Sequence, residues 1–295
     1  MRTWQVIEGD GALDPRRVRE WVDVRMQIDP DLVRGVLVRF IRDEITKFGM
    51  RRAVIGLSGG VDSSLTCFLA AEALGPENVL AVRMPYRTSS PDSLLHAHLV
   101  IEQLGVPSET VEITPMVEPL FERFPDMDQR RRGNVMARMR MIILYDLSAA
   151  WGGMVVGTSN KTEILLGYFT LYGDGAYALA PLGDLYKNQV RQLARAVGVP
   201  EEIVRKLPTA DLWLGQTDEG ELGVTYDEAD RILYLLVEER MTPEQVIALG
   251  FDGETVRRLW GMVRETQFKR RTPIIAKLTS RTVGIDFRYL RDWGH

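Results

Sequence analysis

The run Arg52-Ala53-Val54-Ile55-Gly56-Leu57 breaks into Ser58-Gly59-Gly60-Val61-Asp62-Ser63-Ser64 and then resumes as a helical pattern over 63–74. A short, continuously apolar run of this kind fits a strand buried on both faces. Such a strand needs helices packed on either side. The theme repeats: 78–84 reads as a second strand, 91–104 as a second helix stopped by Gly105, and 108–113 as a third strand. Strand, helix, strand, helix, strand with short connections predicts an α/β fold, a parallel sheet with helices on both faces.

The remaining segments fit around that unit. Residues 14–49 carry two helical stretches, the second over 30–48 with Leu32, Val36, Phe40 and Ile45 on an amphipathic pattern. We expect an N-terminal helical segment over 1–50, the main domain over 51–275 and a tail over 276–295. A long helix is predicted over 133–151 and a fourth strand over 154–157, while 158–181 is Gly- and Tyr-rich with no clean period. Further helices are expected over 187–197, 226–240, 242–249 and 253–271. The 133–151 helix carries Val135, Met139, Ile143, Leu147 and Trp151 but also Met136, Ile142 and Leu144, so it is apolar on more than one face. A helix apolar nearly all round is expected to be buried on all sides. One side can face the sheet, and the other calls for a second copy of the chain.

Composition excludes several classes. Hydrophobic residues make up 45% and charged residues 26%, enough apolar surface to order the chain. Lys and Arg number 37 against 41 Asp and Glu, a net charge of −4, which argues against nucleic acid as a partner. Cys67 stands alone, so neither an intrachain disulfide nor a cysteine-based metal cluster can form. Residues 1–15 carry Glu8, Asp10 and Asp14 without an apolar run, unlike a secretory signal. No stretch approaches the roughly 18 uncharged apolar residues of a membrane span. These features predict a soluble protein of the reducing cytoplasm with no membrane partner.

The 58–64 loop carries the chemistry. Its glycines permit a tight turn and close backbone approach, and hydroxyls with free N–H groups at a helix start make an anion site. It is not the Walker loop, because an aspartate stands where that loop has its lysine. An aspartate beside phosphates makes sense with Mg²⁺ between them. A plain Gly-Ser turn capped by Asp62 is the alternative.

The loop resembles that of the N-type ATP pyrophosphatases, in which the ATP α-phosphate is attacked and pyrophosphate leaves. Further motifs narrow the family. They are Gly133-Asn134-Val135-Met136-Ala137-Arg138-Met139-Arg140-Met141, Gly157-Thr158-Ser159-Asn160-Lys161-Thr162-Glu163 and Gly167-Tyr168-Phe169-Thr170. With them go Tyr172-Gly173-Asp174-Gly175, Leu185-Tyr186-Lys187, Pro208-Thr209-Ala210-Asp211 and Gln216-Thr217-Asp218-Glu219. Together they resemble the ammonia-dependent NAD synthetases over roughly residues 30–275. That resemblance implies a doubly wound, Rossmann-like sheet, a homodimer with the dinucleotide site at its interface, and deamido-NAD⁺, ATP and ammonia as substrates. The nicotinate carboxylate is adenylated with release of pyrophosphate, and ammonia then displaces AMP.

It also implies residue roles. Asp62 and Glu163 match the Mg²⁺ ligands. ATP contacts fall on Gly56, Leu57, Ser58, Gly59, Gly60, Val61, Asp62, Ser63, Ser64, Thr158 and Thr209, with Lys187 on the phosphates. Arg138, Asn134, Tyr145 and Lys269 fall on the deamido-NAD⁺ side. Leu171, Ala178 and Phe268 occupy further substrate positions, where several bacterial members carry lysine at the first and many members carry aspartate and histidine at the other two. Arg138 and Arg140 are two apart on a helix, so they point about 200° away from each other and cannot serve one site. Arg140 is then expected on the ATP side or in a structural role. Asp174 is our candidate to take a proton from the incoming ammonium. Cys67 reads as a small buried side chain.

About 50 residues precede the first predicted strand and hold no cysteine, so a fused glutaminase is not expected and the nitrogen is ammonia. Other functions remain open at this level. One is the same chemistry on a related acid such as nicotinate mononucleotide. Another is tRNA modification by an ATP pyrophosphatase, which predicts a basic surface and extra cysteines. A third is nucleotide binding without chemistry, which would not need Asp62, Glu163 and Lys187 together.

Overall fold

The computed structural model describes residues 14–213, 215–271 and 273–288. The expectation about a secretory signal at the N-terminus falls, for residues 1–13, outside the described residues, as do residues 289–295 of the expected tail. Four strands, β1 (Arg52–Gly56), β2 (Val79–Arg83), β3 (Ser108–Thr110) and β4 (Gly153–Val155), form a parallel sheet in the order β3-β2-β1-β4. Ala53 lies opposite Val79 on one side and Met154 on the other. The chain therefore steps outward from β1 to β3, then crosses back to the far side of β1. A crevice opens at the carboxyl ends of strands where the winding reverses.

In chain order the helices are α1 (Pro15–Arg25), α2 (Pro30–Thr46), α3 (Val61–Leu74), α4 (Pro91–Leu104), α5 (Thr114–Arg123), α6 (Gln129–Trp151) and α7 (Lys161–Leu166). They continue as α8 (Lys187–Ala196), α9 (Glu201–Arg205), α10 (Asp218–Leu222), α11 (Tyr226–Val237), α12 (Pro243–Ala248) and α13 (Gly253–Glu265). Strand side chains alternate between two cores. Ala53, Ile55, Val79 and Ala81 meet residues of α2, α3 and α8, whereas Val54, Leu80 and Val82 meet α5 and α6. A third core, from Val18, Val22, Leu166, Tyr226, Leu233 and Val256, joins α1, α7, α11 and α13. Residues 14–50 thus contribute to two cores, α2 to the sheet and α1 to the helical one.

Several elements differ from expectation for local reasons. α5 was not foreseen, because Pro115 and Pro119 break its pattern; Pro119 lies inside the helix. α6 begins at Gln129, before Gly133, because Asp128 caps it by accepting the Arg131 N–H at 2.7 Å. α7 falls in the segment that shows no period, and a helix of 6 residues is too short to show one. β3 stops at Thr110, and α13 ends at Glu265 before a 3-10 turn over Gln267–Arg270. Within one chain α6 is buried on one side and open on another, the side that the expected second copy would cover. Met136, Ala137 and Ile143 are buried, but Ile142 and Tyr145 are 55% and 42% exposed. No described helix is long and apolar enough to cross a membrane.

Candidate active site

A cavity of about 630 Å³ opens at the carboxyl ends of β1, β2 and β4, the place the winding prescribes. The β1–α3 loop forms one wall. Gly59 turns there with φ +75°, and a Cβ at that position would lie 2.1 Å from the Ser93 carbonyl oxygen, so only glycine fits. The Ser58 N–H donates to Ser63 Oγ at 3.2 Å, and the two hydroxyl oxygens are 3.1 Å apart. Ser64 instead turns inward and donates to the Gly60 carbonyl at 2.8 Å. Gly60 caps α3 with no side-chain bond to its first-turn N–H groups, which leaves an anion site open to the cavity. Gly56, Leu57, Ser58, Gly60, Val61, Asp62 and Ser63 line the cavity; Gly59 and Ser64 support it from behind.

Three charged side chains converge beside that loop. The Lys187 ammonium, at the start of α8, donates to Asp62 Oδ2 at 2.5 Å and to Glu163 Oε1 at 3.2 Å. Lys187 is 3% exposed, while Asp62 and Glu163 are 15% and 16% exposed toward the cavity. Burial works against the lysine's charge, but Asp62 and Glu163 outweigh it and hold the ammonium charged well beyond the usual lysine range. Burial, with Asp62 and Asp218 adding to it, pushes the Glu163 carboxyl up; Lys187 and the Asn160 N–H oppose the shift. Asn160 ties the group together. It caps α7 by accepting the Glu163 N–H at 3.0 Å and donates from Nδ2 to Asp62 Oδ1 at 2.8 Å.

Asp218 faces the same space, nearly buried, with the Tyr168 and Tyr226 hydroxyls each 3.2 Å from its oxygens. Burial pushes its carboxyl up and Lys187 pulls it down. Neither Asn160 nor Asp218 was singled out from sequence. For Asn160 a signal existed, since Asn followed three residues later by Glu marks a capping box.

The far end of the cavity holds Asp174, Asn134, Lys269 and Arg140. Asp174 accepts the Thr170 N–H at 2.9 Å. Asp174 is exposed on the cavity wall, where the surrounding protein pushes its carboxyl up against the pull of the Thr170 N–H, its own N–H, Lys269 and Arg140. Lys269 donates to the carbonyls of Gly167 and Phe169 at 2.6 and 2.7 Å, and Thr170 Oγ1 donates to Asn134 Oδ1 at 2.8 Å. Arg140 Nε donates to the Met84 carbonyl at 3.0 Å. Thr158 and Thr209 also line the cavity.

Other expected residues lie outside that lining. Arg138 is exposed and donates from Nε to the Leu171 carbonyl at 3.3 Å. Tyr145 and Phe268 are exposed, and Ala178 donates its N–H to the Val155 carbonyl at 2.9 Å. Leu171 is half-buried on the same flank as Arg138. Cys67 is fully buried and burial pushes its thiol up to about 12, which leaves it inert.

Among the described residues no group of three His, Cys, Asp or Glu is arranged to hold a metal. Asp62 and Glu163 are instead a pair of oxygen donors already converging on one cation, a set that suits a hard ion sharing its shell with substrate oxygens.

The family described as NAD synthase matches residues 33–273. An NH(3)-dependent NAD(+) synthetase of Trichlorobacter lovleyi is 58% identical over 270 residues, covering 92% of this chain and 99% of that protein. Among solved structures, an NMN synthetase from Francisella tularensis superposes with a TM-score of 0.76 at 31% identity, covering 85% of this chain and 99% of its own. An NH3-dependent NAD synthetase from Campylobacter jejuni gives a TM-score of 0.73 at 29% identity, over 85% of this chain and 100% of its own.

Proposed function

The chain belongs to the NAD synthase family, and we propose that it amidates deamido-NAD⁺ to NAD⁺ with ATP and ammonia. The observation that carries this reading is the convergence of Asp62, Glu163 and Lys187 beside an uncapped helix start at the mouth of the sheet. In the first step a nicotinate carboxylate oxygen attacks the ATP α-phosphorus, and the bond from that phosphorus to pyrophosphate breaks. Ser58, Ser63 and the first N–H groups of α3 hold the phosphates. Lys187, bonded to Asp62 in the first turn of α3, stands beside that phosphate site and can trade its carboxylate partners for phosphate oxygens. Asp62 and Glu163 would hold Mg²⁺ together with phosphate oxygens. When bound, that ion draws off negative charge from the phosphates.

In the second step neutral ammonia attacks the acyl carbon and AMP leaves with the bonding electrons. Asp174, exposed on the cavity wall at the far end with its proton affinity raised, is suited to take the proton of the incoming ammonium. Asn134 and Lys269 line this end of the cavity, while Arg138, Tyr145, Leu171, Ala178 and Phe268 lie outside its lining. A dinucleotide held by both sets would need a second copy against α6, consistent with the exposed Ile142 and Tyr145. We therefore propose a homodimer acting in the cytoplasm.

The test is formation of AMP and pyrophosphate from Mg·ATP and deamido-NAD⁺, with ammonium or with glutamine. The expected result is turnover with ammonium only, and little or none for Asp62→Asn at saturating Mg²⁺. Comparable use of glutamine, or near-parental turnover by Asp62→Asn, would refute the reading. Leu171, Ala178 and Phe268, together with the likeness to an NMN synthetase, favour one competing acid, so nicotinate mononucleotide belongs in the same assay. Preference for the mononucleotide would shift the substrate and leave the chemistry in place.

A further inference from the structure

Asp230 lies on α11, outside the cavity lining, with no solvent exposure. A carboxylate in such a place needs a reason, because burial disfavours its charge unless its oxygens are used. Both are used. Oδ1 accepts the Thr162 hydroxyl at 2.5 Å, and Oδ2 accepts the Asn188 N–H at 2.8 Å. The Thr162 oxygen in turn accepts the Lys187 N–H at 3.1 Å. The bonds close a ring through Asp230, Thr162 and the first two residues of α8.

The ring's members flank the reactive cluster. Thr162 precedes Glu163 on α7, and Asn188 follows Lys187 on α8. Tyr186, the residue before α8, places no side-chain cap on that helix, so its first two N–H groups are taken up by the ring. An apolar pair could hold the three helices together as firmly. It could not fix the rotation of the first turn of α8, because apolar contact has no direction and a hydrogen bond does. Lys187 sits in that turn, and its ammonium at the end of a long stem magnifies any rotation of the backbone.

We propose that Asp230 is a positioning residue for adenylation: through Thr162 and the start of α8 it sets where the Lys187 ammonium stands relative to Glu163. The proposal rests on the assignment of Lys187 and Glu163 to the phosphates. A misplacement of about 1 Å at a reacting group costs on the order of 100-fold, so the effect should appear in turnover more than in binding.

The experiment compares the parent chain with Thr162→Val, Thr162→Ser and Asp230→Asn. It follows kcat for AMP formation, KM for ATP and thermal unfolding. Thr162→Val keeps the shape and removes the hydroxyl. Its kcat should fall about 10- to 100-fold while KM for ATP stays within about threefold, and Thr162→Ser should return to within about threefold of the parent. Asp230→Asn turns one acceptor into a donor facing Thr162 and should lose kcat with KM retained. Should Thr162→Val fail to fold, Asp230→Asn and Thr162→Ser decide. Parental kcat in Thr162→Val or Asp230→Asn, or equal loss in the valine and serine variants, would overturn the proposal. A parent chain that forms no AMP would instead refute the assignment beneath it.

Discussion

Asp230 also carries a pH signature at the scale of one residue. Burial, with Asp227 adding, pushes its carboxyl up to about 7, against the Thr162 hydroxyl, the Asn188 N–H and Arg191. In the unfolded chain an aspartate titrates near 3.9. Between those values the folded protein keeps a proton that the unfolded chain has released. The contribution of this group to stability is therefore complete below about pH 4 and is lost as pH rises through about 7. Asparagine at 230 does not titrate. The unfolding free energy of the parent minus that of Asp230→Asn, from urea titrations, should fall between about pH 4 and pH 7 and then level off. A difference flat across that range would mean the carboxyl titrates at its ordinary value. Nothing in the sequence marks Asp230 out, because its partner Thr162 lies 68 residues away. Asp218 is similar, bonded across 50 residues to Tyr168; for Asn160 the local capping box was legible, but its bond to Asp62, 98 residues away, was not. The 58–64 loop was legible because its signals are local: glycines where the chain must turn, and hydroxyls where a helix begins.

At the scale of elements, period decides what can be read ahead. β1, β2, α3 and α4 are long enough to show theirs, and the strands alternate between two cores as buried parallel strands must. α7 is a single turn and a half, and α5 is interrupted by proline, so neither shows one. The helical step of about 100° did separate Arg138 from Arg140 in advance. Only the fold could say that Arg140 turns to the cavity and Arg138 away from it. α6 leaves Ile142 and Tyr145 exposed on the face turned from its sheet. If a second copy covers that face, Ile142→Asp should weaken the association. Light scattering at micromolar concentration is expected to give about twice the 33.5 kDa chain mass for the parent and a value falling toward one chain for the variant. A monomeric parent would rule out the shared dinucleotide site.

Across the whole molecule the cavity lies where separately packed bodies meet. Asp62 rides on α3, whose Leu65 and Leu69 belong to the sheet's core. Glu163 rides on α7, anchored by Leu166 in the core of helices that also holds Tyr226 and Leu233. Lys187 starts α8 between them, with Tyr186 in the helical core and Val190 in the sheet's. A protein built this way can open in parts, since cooperative units with separate cores need not unfold together. The helical body needs only to loosen for Glu163 to drift from Asp62, long before the sheet gives way. Loss of catalysis should then be an early reporter of partial opening. In a urea titration AMP formation is expected to disappear at a lower concentration than far-UV dichroism, with native-state hydrogen exchange in α11 and α13 faster than in β1 and α3. Coincident transitions would make the chain a single cooperative unit. On the first outcome the active site doubles as the clasp between two foldons, and substrate that spans it lends the molecule a cohesion its apolar cores do not supply.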